Sequence, residues 1–172
     1  MSIKKLPTLT FNTGEYVVYP THGVGKVSDI AKQNIGGTEL EMLVVSFDKD
    51  KMKLLLPTTK IPNVGLRKIS DEKTMEEAFN TLKGKAKVRK IMWSRRQQEY
   101  ENKINSGNPV AIAEVIRDLY RSENIADQSY SERQIYEQAV DRLASEVSIY
   151  SNCSIEDANK KLNDILSKEK TV

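Results

Sequence analysis

Residues 83–96 (KGKAKVRKIMWSRR) hold seven lysines and arginines, no acidic residue, and the only tryptophan of the chain, Trp93. Clustered cations beside one large aromatic ring suit the grip of a phosphate backbone, with an apolar side chain pressed on a base step. Trp93, Arg95 and Arg96 carry the specific expectation; Lys85, Lys87, Arg89 and Lys90 would add general electrostatic support. No residue set here resembles a base-reading helix, so the expected contact with DNA is sequence-tolerant. The plain alternatives are a solvated charged linker for the lysines and a core position for Trp93. With Tyr100 and Ile104 it falls at i, i+7 and i+11 of one helical face.

The register of that helix separates the two readings of Trp93. Ser94 and Gln97 have capping-box spacing, which leaves Trp93 just outside the helix and puts polar Gln98 where a staple partner belongs. Trp93 would then be exposed, forgoing roughly 2 kcal/mol of burial. Arg95 and Arg96 would lie in the first turn, against the helix dipole but well placed for a phosphate.

Covalent chemistry has little material. The chain has one histidine, His22, in a turn, and one cysteine, Cys153, ahead of a helix cap. No nucleophile is marked beside His22, and one Cys with one His does not make a zinc site. The sequence Gly23-Val24-Gly25-Lys26 lacks the leading glycine and the following Ser/Thr of a P-loop. The chain is therefore expected not to be an enzyme and to hold no cofactor or metal.

The net charge of +3 is unevenly spread. Residues 1–72 carry ten basic and eight acidic groups, residues 73–96 eight and two, and residues 97–172 nine and fourteen. A local basic stripe on an otherwise near-neutral or acidic molecule points to a defined anionic partner. No apolar run approaches the roughly 20 residues of a membrane span, and the first residues lack the apolar stretch of a secretory signal. With a single cysteine, the expectation is a cytoplasmic protein, a monomer with no membrane partner.

The elements that must position the stripe change character near residue 70. After a tail over residues 1–10, residues 11–70 read as short strands: EYVVY at 15–19, a weaker strand at 24–30, ELEMLVVSF at 39–47, MKLLL at 52–56 and a last short one over 64–68. Gly36-Gly37 marks a hairpin turn. Residues 71–172 read as helices: one over 71–82, one behind the Asn108-Pro109 cap, one introduced by a Ser131/Gln134 capping box, and one starting at Ser154. The last two carry stripes of Tyr136, Val140, Leu143, Val147 and Tyr150, and of Ile155, Ala158, Leu162 and Ile165. The expected fold class is α+β, a small barrel or bent sheet followed by an all-α module.

Three motifs in register carry a family likeness: residues 11–26 (FNTGEYVVYPTHGVGK), 93–96 (WSRR) and 113–119 (AEVIRDL). The chain resembles the CarD family of bacterial transcription regulators over nearly everything from Phe11 onward. The resemblance implies a Tudor-like β module that binds the RNA polymerase β subunit by strand pairing. It implies a helical module that touches promoter DNA at the upstream edge of the transcription bubble. Trp93 would wedge there, Arg95 and Arg96 would hold the backbone, and the open complex would be stabilised. Some members of the family carry arginines on the polymerase-facing strands; the aligned positions are Gln33 and Leu55 here, with Lys51 and Lys53 as substitutes. The same β module occurs in transcription-repair coupling factors, which are much longer and carry helicase motors, whereas no Walker motif is present in this sequence.

Two other readings compete. A protein-interaction adaptor would bind a partner through the β module and have no DNA affinity in the helical one. A small RNA-binding protein would need an aromatic platform, for which Phe11, Tyr16, Tyr19 and Phe47 are the candidates.

Overall fold

The computed structural model describes residues 11–47, 51–85, 90–120 and 129–169. Strands β1 (Tyr16–Tyr19), β2 (Gly23–Ile35), β3 (Thr38–Phe47), β4 (Met52–Pro57) and β5 (Arg67–Lys68) form one antiparallel sheet in the order β4-β3-β2-β1-β5. Gly36 and Gly37, at φ 60° and 83°, close the hairpin between Ile35 and Thr38 with the two-residue turn that such angles favour. Val27 pairs with Val45 and Asp29 with Val44, so Ser28 is an extra residue that bends the long β2–β3 ribbon. The sheet is open, with β4 and β5 at its two edges. Its core buries Val17, Val27, Leu43, Val45, Phe47 and Leu56.

The strand expected over residues 64–68 is shorter, and a helical turn precedes it. After a 3₁₀ turn (Thr58–Lys60), α1 (Ile61–Val64) ends at Gly65 and only Arg67–Lys68 pair with β1. A proline in the first turn favours helix there, and Ile61 is buried in the β core.

Five helices follow: α2 (Glu72–Lys83), α3 (Trp93–Asn105), α4 (Pro109–Leu119), α5 (Tyr130–Tyr150) and α6 (Ile155–Glu169). Their shared core includes Met75, Leu82, Ile104, Ile116, Leu143 and Leu162. The Asp71 carboxylate accepts the Thr74 N–H at 2.9 Å, and hydrogen bonding from the Thr74 side chain, then from this N–H, holds its pKa below the ordinary value. Asn108 caps α4 by accepting from the Val110 N–H, and Ser154 accepts from Asp157. The cap of α5 is Ser129, accepting from Glu132, two residues before the expected Ser131. In α6 the expected stripe holds at Ala158 and Leu162, with Ile165 partly buried on the same core; Leu166 joins it and Ile155 is exposed. No helix among the described residues is long and apolar enough to cross a membrane.

The two halves are joined by polar contacts. Arg142 of α5 donates to the carbonyls of Pro20 (3.1 Å) and Thr21 (2.6 Å) in the β1–β2 turn. Gly107, between α3 and α4, takes φ 72° where its Cα lies against Pro20, so close that an added Cβ would sit 3.0 Å from the Pro20 Cα.

Candidate functional site

Helix α3 begins two residues earlier than the capping box suggests. Its N-cap is Met92, with no side-chain cap, and the Met92 carbonyl accepts from the Arg95 and Arg96 N–H groups at 3.1 Å each. Trp93 is therefore the first residue of the helix, and Ser94 lies exposed inside the first turn. Tertiary packing overrides the local capping preference. Trp93 is partly buried against the helical core, its ring 6.3 Å from that of buried Tyr100 one helical face below. The side chain left largely in solvent is Met92, 73 % exposed. Trp93 is thus neither a fully exposed wedge nor a fully buried core residue: one face rests on the bundle.

The two arginines of WSRR occupy different environments. Arg95 is exposed, and no acidic residue stands in the first turn of α3 to neutralise it. Arg96 is partly buried, its guanidinium carbon 5.3 Å from the Trp93 ring centroid and 5.7 Å from that of Tyr100. Lys85, just beyond α2, and Lys90, just ahead of α3, are both exposed. Lys87 and Arg89 lie outside the described residues. The third sequence motif, residues 113–119, is scaffold: Ala113, Val115, Ile116 and Leu119 are core, and buried Asp118 pairs with Arg117 at 2.9 Å. Lys103 of α3 holds Glu114 of α4 at 2.9 Å, tying the helix that carries Trp93 to that scaffold.

On the sheet, register places Gln33, Lys53 and Leu55 on the same outer face, opposite Leu40, Ser46 and Val44 of β3. Gln33 and Lys53 are exposed and Leu55 is 51 % exposed. Lys51 is exposed in the turn leading into β4, at φ 48°. Lys51, Lys53 and Leu55 cluster at edge strand β4. The β3 partner of Gln33 sits six residues from that of Lys53, a separation of about 20 Å at strand rise, so the four positions do not form one spot. Among the described residues β4 is the end strand of the sheet, the kind of edge to which an incoming strand can pair.

The aromatic platform required for RNA binding does not form. Phe11 and Phe47 are buried and Tyr19 is partly buried against the β core, leaving Tyr16 as the one exposed ring of the four. His22 stacks on Tyr19, ring centroids 5.3 Å apart, and packs beside Phe47 at 5.5 Å, a turn residue in an aromatic cluster. No group of three or more His, Cys, Asp or Glu suited to a metal ion occurs among the described residues.

Sequence reasoning missed Met92, whose exposure follows only once the helix start is known. The place of Tyr100 beneath Trp93 was legible from their i, i+7 spacing, and the ring contact is there. The contacts of Arg142 with the β1–β2 turn carried no sequence signal, because the partners are more than 120 positions apart and bond through backbone carbonyls.

Comparison with known proteins agrees with this two-part construction. Residues 11–70 match the family model of the CarD-like/TRCF RID domain, and residues 77–163 that of the CarD C-terminal domain. The candidate transcription factor YdeB of Bacillus subtilis (strain 168) is 26% identical over 139 residues, spanning 81% of this chain and 91% of YdeB. The solution structure of the 72-residue N-terminal domain of Myxococcus xanthus CarD is 32% identical, covering 33% of this chain and 76% of that one with a TM-score of 0.30.

Proposed function

We propose, starting from the fact that this chain belongs to the CarD family, that it docks on the RNA polymerase β subunit through β4 and steadies the open promoter complex with Trp93. The family places the chain in transcription, with RNA polymerase as the partner of its β module. The finer reading is carried by one observation: an uncapped helix start that presents Met92 and Trp93 together with exposed Arg95, with no acidic residue in its first turn.

Physically the division of labour is coherent. A few exposed cations (Lys85, Lys90 and Arg95) give weak, salt-sensitive DNA affinity. Docking on polymerase raises the local concentration of α3 at the promoter and multiplies that affinity by orders of magnitude. An aromatic side chain at an unstacked base step binds the open form better than the closed duplex, which shifts the equilibrium without any chemical step. The protein consumes nothing and acts by binding alone.

Open-complex decay measured with purified polymerase, with and without the protein, tests this. Replacing Trp93 by leucine keeps an apolar side chain on the bundle and removes the stacking ring. A stack is worth on the order of 1–2 kcal/mol, so the added lifetime should fall about tenfold. A folded Trp93→Leu protein that protects the open complex as well as the parent refutes the wedge.

A further inference from the structure

Resting on the DNA-contact reading above, we propose that Arg96 is a positioning residue for Trp93 and not a phosphate ligand. Its guanidinium is held by the Trp93 and Tyr100 rings and fixes the pose in which the indole meets DNA.

Trp93, Arg96 and Tyr100 stand at i, i+3 and i+7 of α3, a spacing that stacks side chains on one helical face. The guanidinium carbon lies within 6 Å of both ring centroids, inside the range of cation–π attraction. One terminal nitrogen donates a long 3.4 Å hydrogen bond to the Tyr100 hydroxyl. Among the described residues, the Arg96 Nε is buried without a hydrogen-bond partner. A guanidinium deployed for phosphate turns its N–H fork outward, where both edges can be satisfied. Arg96 instead leaves a donor unmet to lie against the rings, a costly arrangement that the ring contacts offset. Adjacent Arg95 is exposed to solvent and remains the phosphate contact.

The consequence is pre-organisation. Trp93 is the first residue of a helix with no side-chain cap, a place where helices fray. A ring braced from below by Tyr100 and by a cation loses less freedom when it meets a base step, and affinity gains accordingly.

Because Trp93 is the only tryptophan, its fluorescence reports its own pose in the full-length free protein, independently of DNA. Arg96→Met keeps the length and apolar bulk and removes the cation. It should make Trp93 more accessible to acrylamide, a neutral quencher. It should also weaken binding to a labelled duplex containing an unpaired bubble by about fivefold, the roughly 1 kcal/mol of one cation–π contact converted at tenfold per 1.4 kcal/mol. The slope of log affinity against log salt should stay that of the parent, whereas Arg95→Gln should lower it by about 0.9, as expected when one phosphate is no longer neutralised. If Arg96→Met does not fold, Arg96→Lys gives the same test, since a lysine cannot lie flat against two rings. Unchanged quenching overturns the proposal, and so does a salt slope that falls as it does for Arg95→Gln. If Trp93→Leu and Arg95→Gln both bind the bubble like the parent, the DNA reading fails, and quenching alone still decides whether Arg96 holds the ring.

Discussion

Arg67 of β5 and Glu146 of α5 form a two-pronged ion pair at 2.6 and 2.9 Å, across 79 positions of sequence, at the seam of the sheet and the helical bundle. The Glu146 side chain is only 4 % exposed, and the Ser70 hydroxyl and N–H also donate to it at 2.7 and 3.1 Å. Arg67 donates further to the Gly107 carbonyl from Nε and a terminal nitrogen. Both charges are thus surrounded by hydrogen-bond partners, the condition under which a buried pair holds its place.

Breaking one side of it should be expensive. Glu146→Gln leaves Arg67 with half its compensation, and because Arg67 retains some solvent contact the loss should be roughly 2–3 kcal/mol. Urea unfolding of Glu146→Gln, Arg67→Met and the double variant checks this. The cycle should show strong coupling, and additive losses would mean the two residues act separately.

Gly107 should resist substitution. An alanine there must adopt a left-handed backbone and place its Cβ 3.0 Å from the Pro20 Cα, at an expected loss of roughly 1–3 kcal/mol. Gly36 has a similar φ with open space around it, so Gly36→Ala should lose less. Equal losses in denaturant titrations would show that the approach to Pro20 does not matter.

Tyr136 predicts an alkaline limit. Burial first, and then the neighbouring Tyr120, push its phenol up to about 12 from an ordinary value of 10. A raised pKa means the folded state holds the proton more tightly. Its contribution is therefore complete below pH 10 and is lost as pH climbs from 10 toward 12, on the order of 2 kcal/mol. Thermal melts of the parent should drop over that window, and Tyr136→Phe should flatten the drop. A drop of the same size in the variant would place its origin elsewhere.

Leu55 tests the docking edge. Leu55→Asp puts a charge on the exposed face of β4, outside the core, so stability should change by no more than about 0.5 kcal/mol. Affinity for RNA polymerase should fall about tenfold or more. Retained polymerase binding in a pull-down at matched concentrations would move the docking surface off this strand.

Most elements were legible because their signals are local. Alternation and Gly36-Gly37 marked the β2–β3 hairpin, and Asn108-Pro109 marked the start of α4. The errors fall where distant contacts outweigh local ones. Ser94 and Gln97 form a plausible cap on paper, but packing of Trp93 onto Tyr100 draws the helix back to Met92. Ser131 gives way to Ser129 by the same two-residue uncertainty of cap signals. The tie between Arg67 and Glu146 has no sequence trace, since nothing local pairs residues 79 positions apart. At the candidate site, the residue types of WSRR were legible, whereas the different surroundings of Arg95 and Arg96 required the helix phase.

The order of strands has a mechanical consequence. One margin of the sheet, β4, faces outward, while the opposite margin, β5, is bolted to the bundle through Arg67. Four inter-strand steps of about 4.8 Å separate the margins, close to ~19 Å in all. A hydrogen-bonded sheet is stiff along that direction, so it works as a ruler. Whatever attaches at β4 is linked to the bundle through the strands and the contacts of Arg67 with Glu146 and Gly107.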